Sequence, residues 1–109
     1  VSPAAEIGPG LYIPHTVGVI FHGRAGKNLT LYQHATVATG TVRFPLDKLF
    51  DDCPTLGNDV TVGVLSVVCG GINIGSNTFI GASTVAQSDV GANSIIILPS
   101  PKVNKKLSK

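Results

Sequence analysis

Residues 7–42 read IGPGLY, IPHTVG, VIFHGR, AGKNLT, LYQHAT and VATGTV, six consecutive blocks of six. Each block opens on an aliphatic side chain: Ile7, Ile13, Val19, Ala25, Leu31 and Val37. A period of six is neither the 3.6 of a helix nor the 2 of a half-buried strand. It fits a coil of short flat sides, each turning its leading aliphatic inward and ending in a corner. Three blocks close one triangular turn, so residues about eighteen apart are expected to stack. By that arithmetic Gln33 lies over His15, with His34 one step further along the same side.

The period breaks at 43–55, RFPLDKLFDDCPT, which holds Asp47, Asp51, Asp52 and two prolines. A segment thrown out of a rigid solenoid is a common seat of function. The pattern resumes with Leu56, Val62, Val68, Ile74 and Ile80 as leading residues. After Val85 the register shortens, and Val90 opens a last strand running through the apolar residues 95–98 to Pro99 and Pro101. Residues 1–6 read as an incoming edge strand whose Pro3 discourages further pairing. Residues 1–98 therefore form one β-helix domain with an inserted loop at 43–55. Residues 99–109 form a basic tail with Lys102, Lys105, Lys106 and Lys109.

A chain of 109 residues supports one core. Charged residues make up 13% and hydrophobics 43%, yet no apolar run reaches membrane-spanning length. The 13 glycines suit tight corners. A net charge of +2 does not mark a nucleic-acid binder. Cys53 and Cys69 are too few for a disulfide framework, which fits a reducing, cytoplasmic setting. The sequence contains no Met and reads as part of a longer chain. Few coils bury little surface within one chain, so a homo-oligomer is expected, and a cyclic trimer matches a three-sided prism.

Four segments, SPAAEIGPGLYIPHTVGV, YQHATV, CPTLGNDVTVG and IGASTVAQSDVGANSIIILPSPKV, occur in an order that resembles the hexapeptide-repeat acyltransferases. Within them the chain is similar to the branch containing serine acetyltransferases and polysaccharide O-acetyltransferases, over nearly all its length. The resemblance implies an all-β, left-handed parallel β-helix, a homotrimer, and acetyl-CoA held in the groove between neighbouring prisms. The handedness comes from the resemblance and runs against the usual right-handed crossover.

Acetyl transfer from a thioester to a hydroxyl needs a base, donors for the oxyanion and a held acyl carrier. His15 occupies the position where the family carries its base, and an imidazole ordinarily titrates near neutrality. It is the third residue of its block and is expected to point outward. His34 is expected to bind acceptor or polarise the thioester carbonyl, with Gln33 beside it as a substrate-binding residue. His22 is expected on the surface or at a trimer contact. For coenzyme A, the resemblance assigns Gly63, Ser66, Gly81, Ala82 and Ser83 to the pantetheine channel. It assigns Lys102, with Lys105 or Lys106, to the phosphates.

Three departures from the family bear on the acceptor. Pro14 stands where serine acetyltransferases carry an Asp before the catalytic His. Their DRHP motif appears as Asp51-Asp52-Cys53-Pro54, which removes the Arg expected to hold a serine carboxylate. The Asp that orients the catalytic His would fall one residue before Val1, and a base lacking it would be weakened. A sugar or polysaccharide hydroxyl is therefore preferred over serine, which stays as the alternative. Asp52 and Cys53 are assigned to acceptor binding, although Cys53 reads more readily as a packed thiol than as an acyl acceptor.

Two other readings compete. A trimeric γ-type carbonic anhydrase needs three His on zinc, including a pair about five residues apart. His15, His22 and His34 are spaced by seven and twelve, so no metal is expected. A non-catalytic, partner-binding β-helix is the other, and its activity would be indifferent to His15→Ala.

Overall fold

The computed structural model describes residues 1–40 and 52–102. Among the described residues twelve strands of two or three residues carry the fold: β1 Glu6–Ile7, β2 Ile20–Phe21, β3 Arg24–Ala25, β4 Thr30–Leu31, β5 Thr36–Ala38, β6 Thr55–Leu56, β7 Thr61–Val62, β8 Val67–Cys69, β9 Asn73–Ile74, β10 Phe79–Ile80, β11 Val85–Ala86 and β12 Ile95–Ile96. They form three parallel four-stranded sheets, β1-β3-β6-β9, β4-β7-β10-β12 and β2-β5-β8-β11. These are the first, second and third faces of a triangular prism around which the chain winds. Among the described residues each strand pairing joins one coil to the next, as in Ile7↔Ala25, Leu31↔Val62 and Val37↔Val68.

Alternation along each side turns two residues inward, the leading aliphatic and the residue two places before it. Leu29 with Leu31, Ala35 with Val37, Val60 with Val62 and Ile72 with Ile74 are all buried. Burying each such Leu, Ile or Val contributes about 1.5–3 kcal/mol. Where the second position is polar, its hydroxyl bonds to a backbone carbonyl inside the prism. Ser66 Oγ donates to Gly81 O, Thr78 Oγ1 to Gly91 O and Thr84 Oγ1 to Ala82 O. On the first and last coils Ile7, Ile13, Val90 and Ile96 are partly buried and pack against this core.

Several expectations are corrected. Val19 is not a leading residue: it takes the second inward position, packing over Ala35, and Phe21 leads, paired with Val37. Of residues 1–6 only Glu6 is in a strand, because Ala5 N folds back on Ser2 O in a turn. The insertion ends before Thr55, which pairs in β6 with Arg24 and Asn73. Of 95–98 only Ile95–Ile96 forms a strand, and Ile97 and Leu98 are exposed.

Candidate functional site

The three edges of the prism differ in how strictly they keep the period. Between the first and second faces the leading residues are always six apart, as in Ile7 to Ile13, Leu56 to Val62 and Val90 to Ile96. This first edge is built on left-handed residues Asn28, Asp59, Asn77 and Asn93, with φ of 56–60°. Their side chains form rungs: Asn28 Nδ2 donates to Asp59 Oδ1 at 3.0 Å, and Asn77 Nδ2 to Asn93 Oδ1 at 2.9 Å. Asn and Asp tolerate this backbone because their short polar side chains bond locally.

The second edge, between the second and third faces, is where the first coil departs. Ile13 to Phe21 spans eight residues instead of six, and Phe21 to Ala25 only four, so the coil total is unchanged. The extra two residues bulge out of the edge and carry His15, which is exposed. Stacking by eighteen therefore fails here. His34 N donates to Val17 O at 2.9 Å and Ile20 N to Ala35 O at 3.0 Å, so Val17, not His15, lies over Gln33. Gly18 and His34 both take left-handed backbone, φ 67° and 59°. A Cβ on Gly18 would collide with the His34 ring, Nδ1 first and Cε1 at 2.8 Å, so the imidazole lies against the Gly18 backbone.

Below His34 the edge continues through Leu65 and Ser83, also left-handed at φ 59° and 58°. Val17 and Leu65 expose 63% and 56% of their surface, an apolar strip around the histidines that periodicity did not single out. Gly18 was the one available signal, since a glycine in an apolar run marks special backbone. Gln33 is half-buried, and its Oε1 is buried without a hydrogen-bond partner among the described residues.

The coenzyme assignments separate by burial. Ala82 and Ser83 are exposed on the second edge. Ser66 is fully buried with its hydroxyl on Gly81 O, so it belongs to the core and not to a ligand channel. Gly63 and Gly81 are buried too, and a Cβ on either would strike the coil below, at Ile80 O (2.6 Å) or Ile96 O (3.0 Å). Their lack of a side chain serves stacking. Lys102 is exposed after β12, and Lys105 lies outside the described residues.

The third edge joins the third face to the first and carries the insertion. Asp52 closes its base: Gly40 N donates to Asp52 O at 3.2 Å, and Asp52 Oδ1 accepts from Gly71 N at 2.8 Å. Cys53 is 4% exposed, and burial raises the pKa of its thiol, partly offset by Arg24 and reinforced by Asp52. Cys53 is therefore a packed thiol and not an acceptor ligand. His22 is half-buried on this edge, with its N–H on Val37 O. Asp51 lies outside the described residues. His15 and His34 share one edge, while Asp52 and Cys53 stand on another, across the third face. Among the described residues no group of three metal-ligating side chains comes together.

No protein-family model matches the chain. Over 99 residues, 89% of its length, it is 36% identical to a serine acetyltransferase of Helicobacter pylori, of which it spans 55%. A serine acetyltransferase of Staphylococcus xylosus is 33% identical over 100 residues, with 44% of its length spanned. Among solved structures, serine acetyltransferase isoform 3 of Entamoeba histolytica, in complex with cysteine, superposes with a TM-score of 0.81 at 27% identity, covering 97% of this chain and 37% of that one. The Neisseria gonorrhoeae serine acetyltransferase in complex with serine gives 0.77 at 30% identity, covering 93% and 40%. The chain thus spans about half, or less, of the proteins it matches. The fold they share is the left-handed β-helix.

Proposed function

We propose, for a chain that belongs to the hexapeptide-repeat acyltransferases, acetyl-CoA-dependent O-acetyl transfer with His15 as general base. The observation that carries this is the eight-residue side. It interrupts an otherwise regular edge only to lift an exposed imidazole out of the stack. In the reaction the acceptor hydroxyl gives its proton to the imidazole while its oxygen attacks the thioester carbonyl. The C–S bond then breaks, and the imidazolium returns the proton to the departing coenzyme A thiolate.

The edge of a triangular prism is convex, so a pocket around His15 needs a second surface. A homotrimer supplies one, and the exposed Val17, Ile20, Leu65 and Val85 give it apolar contact area. Ala82 and Ser83 line the same edge for the pantetheine arm, with Lys102 toward the coenzyme phosphates. The relatives' names favour serine as acceptor. A sugar hydroxyl is the second reading, favoured by Asp52 and Cys53: one is spent on Gly71 N, the other is buried, and neither offers a cation to a carboxylate. A cytoplasmic setting belongs to the same reading. No helix among the described residues is long and apolar enough to cross a membrane.

Calorimetry with acetyl-CoA tests the reading, followed by thiol-release assays with serine, nucleotide sugars and oligosaccharides. His15→Ala should lower the rate at least about a hundredfold while donor binding persists. Failure to bind acetyl-CoA overturns the proposal, and turnover with serine alone removes the sugar reading.

A further inference from the structure

We infer that His34 is a positioning residue for the segment carrying His15, and not itself a proton-transfer group; the inference rests on His15 being the base. Among the described residues the bulge has little else to hold it. Pro14 is half-buried, His15 to Gly18 are exposed, and the eight-residue side is too long to stack throughout on the six-residue side beneath it. Two contacts fasten its far end to the next coil, and both come from His34. Its N–H donates to Val17 O at 2.9 Å, and its ring lies against the Gly18 backbone where a side chain would otherwise stand.

The two contacts depend on each other. His34 presents its N–H to Val17 with φ at 59°, and Gly18, at φ 67°, leaves the space the ring fills. The position needs a left-handed residue with a free backbone N–H, and a glycine above it to receive the side chain. It does not need an imidazole for proton transfer, since the Nδ1 side of that ring already lies against Gly18. Leu65 and Ser83 hold the equivalent corners on the next two coils with neither acid nor base, donating N–H to Gln33 O and Val64 O.

The test compares His15→Ala, His34→Asn and Gly18→Ala in the full chain, first by steady-state transfer from acetyl-CoA. Asn takes the left-handed backbone readily, as Asn28, Asn77 and Asn93 do here, and keeps the N–H to Val17. His34→Asn should hold kcat within about tenfold and keep the acidic limb of the kcat/KM profile, whereas His15→Ala should lose about a hundredfold or more. Gly18→Ala should lower kcat with the donor KM unchanged. A His34→Asn enzyme as inactive as His15→Ala, or one lacking the acidic limb, overturns the inference.

Imidazole NMR gives a second readout that needs no turnover. The His15 ring signals should shift in Gly18→Ala and move back toward wild type in Gly18→Ala/His34→Gly, where the collision is gone. Unmoved His15 signals in Gly18→Ala would also overturn it. A wild-type chain inactive with every acceptor would instead count against His15 as the base, and the NMR result would still decide whether His34 holds the segment.

Discussion

Leu65 shows how a single residue reports the demands of the edge it stands on. It is bulky, holds φ at 59° and exposes 56% of its surface, so neither backbone preference nor burial explains a leucine there. Left-handed backbone at such a residue costs about 1–2 kcal/mol. Leu65→Asn should therefore raise stability by up to about 1 kcal/mol in urea denaturation. If the apolar strip contacts the acyl donor, the same change should weaken acetyl-CoA binding. Cys53 makes the complementary case, where burial decides. With its pKa raised, the native thiol keeps its proton at a pH where an unfolded one has lost it. Its contribution to stability is complete below the ordinary cysteine pKa and is lost as pH rises through the higher native value. Native protein at pH 8 should accordingly alkylate at Cys69, which is half-buried, well before Cys53. Mass spectrometry of the labelled peptides reads the order.

Among the elements, side length separates structure from site. The first edge never changes its count and is laced by Asn and Asp rungs, while the second and third edges carry the bulge and the insertion. The last coil already stacks with two residues fewer, Ile80 on Ile96 at an interval of sixteen. Removing Pro14 and His15 should thus leave the β-sheet circular dichroism intact while abolishing transfer. Loss of the β signal would mean that the bulge is structural. Asp52 acts at the same scale, since its carboxylate ties the base of the insertion to Gly71. Asp52→Ala should cost about 1–2 kcal/mol, and Asp52→Asn, which keeps an acceptor oxygen, clearly less. Parallel denaturation curves of the two variants measure the difference.

For the molecule as a whole, the buried stack alone does not account for the surface. Ile20 and Val85 expose 54% and 56% on the outer third face, and Val17 and Leu65 adjoin them around the second edge. Light scattering of the wild-type chain should give three protomers. Ile20→Lys with Val85→Lys should dissociate them and abolish transfer together, because a convex edge cannot enclose an acceptor by itself. A monomer with full activity would refute both points.

The parallel β-helix, its three faces and most of its core were legible from period alone. One leading aliphatic per six residues leaves a chain few other ways to bury them. Leu31, Val37, Leu56, Val62, Val68, Ile74 and Ile80 all stand where the count puts them. The choice of His15 as candidate base came through the resemblance and not the period. The slip inside the first coil was not legible, because a side of eight followed by a side of four preserves the total of eighteen. Counting cannot see an exchange of residues between neighbouring sides; only backbone pairing does, by placing Phe21 on Val37 and Val17 on His34. The same holds for Ser66, Gly63 and Gly81, whose small size suits a ligand channel and a tight stack equally well in sequence. Burial under the next coil assigned them to the stack. Sequence thus determined the architecture, since hydrophobic period acts along the chain. The tertiary structure decided which residues share an edge, since that depends on how each side's length adds to the next.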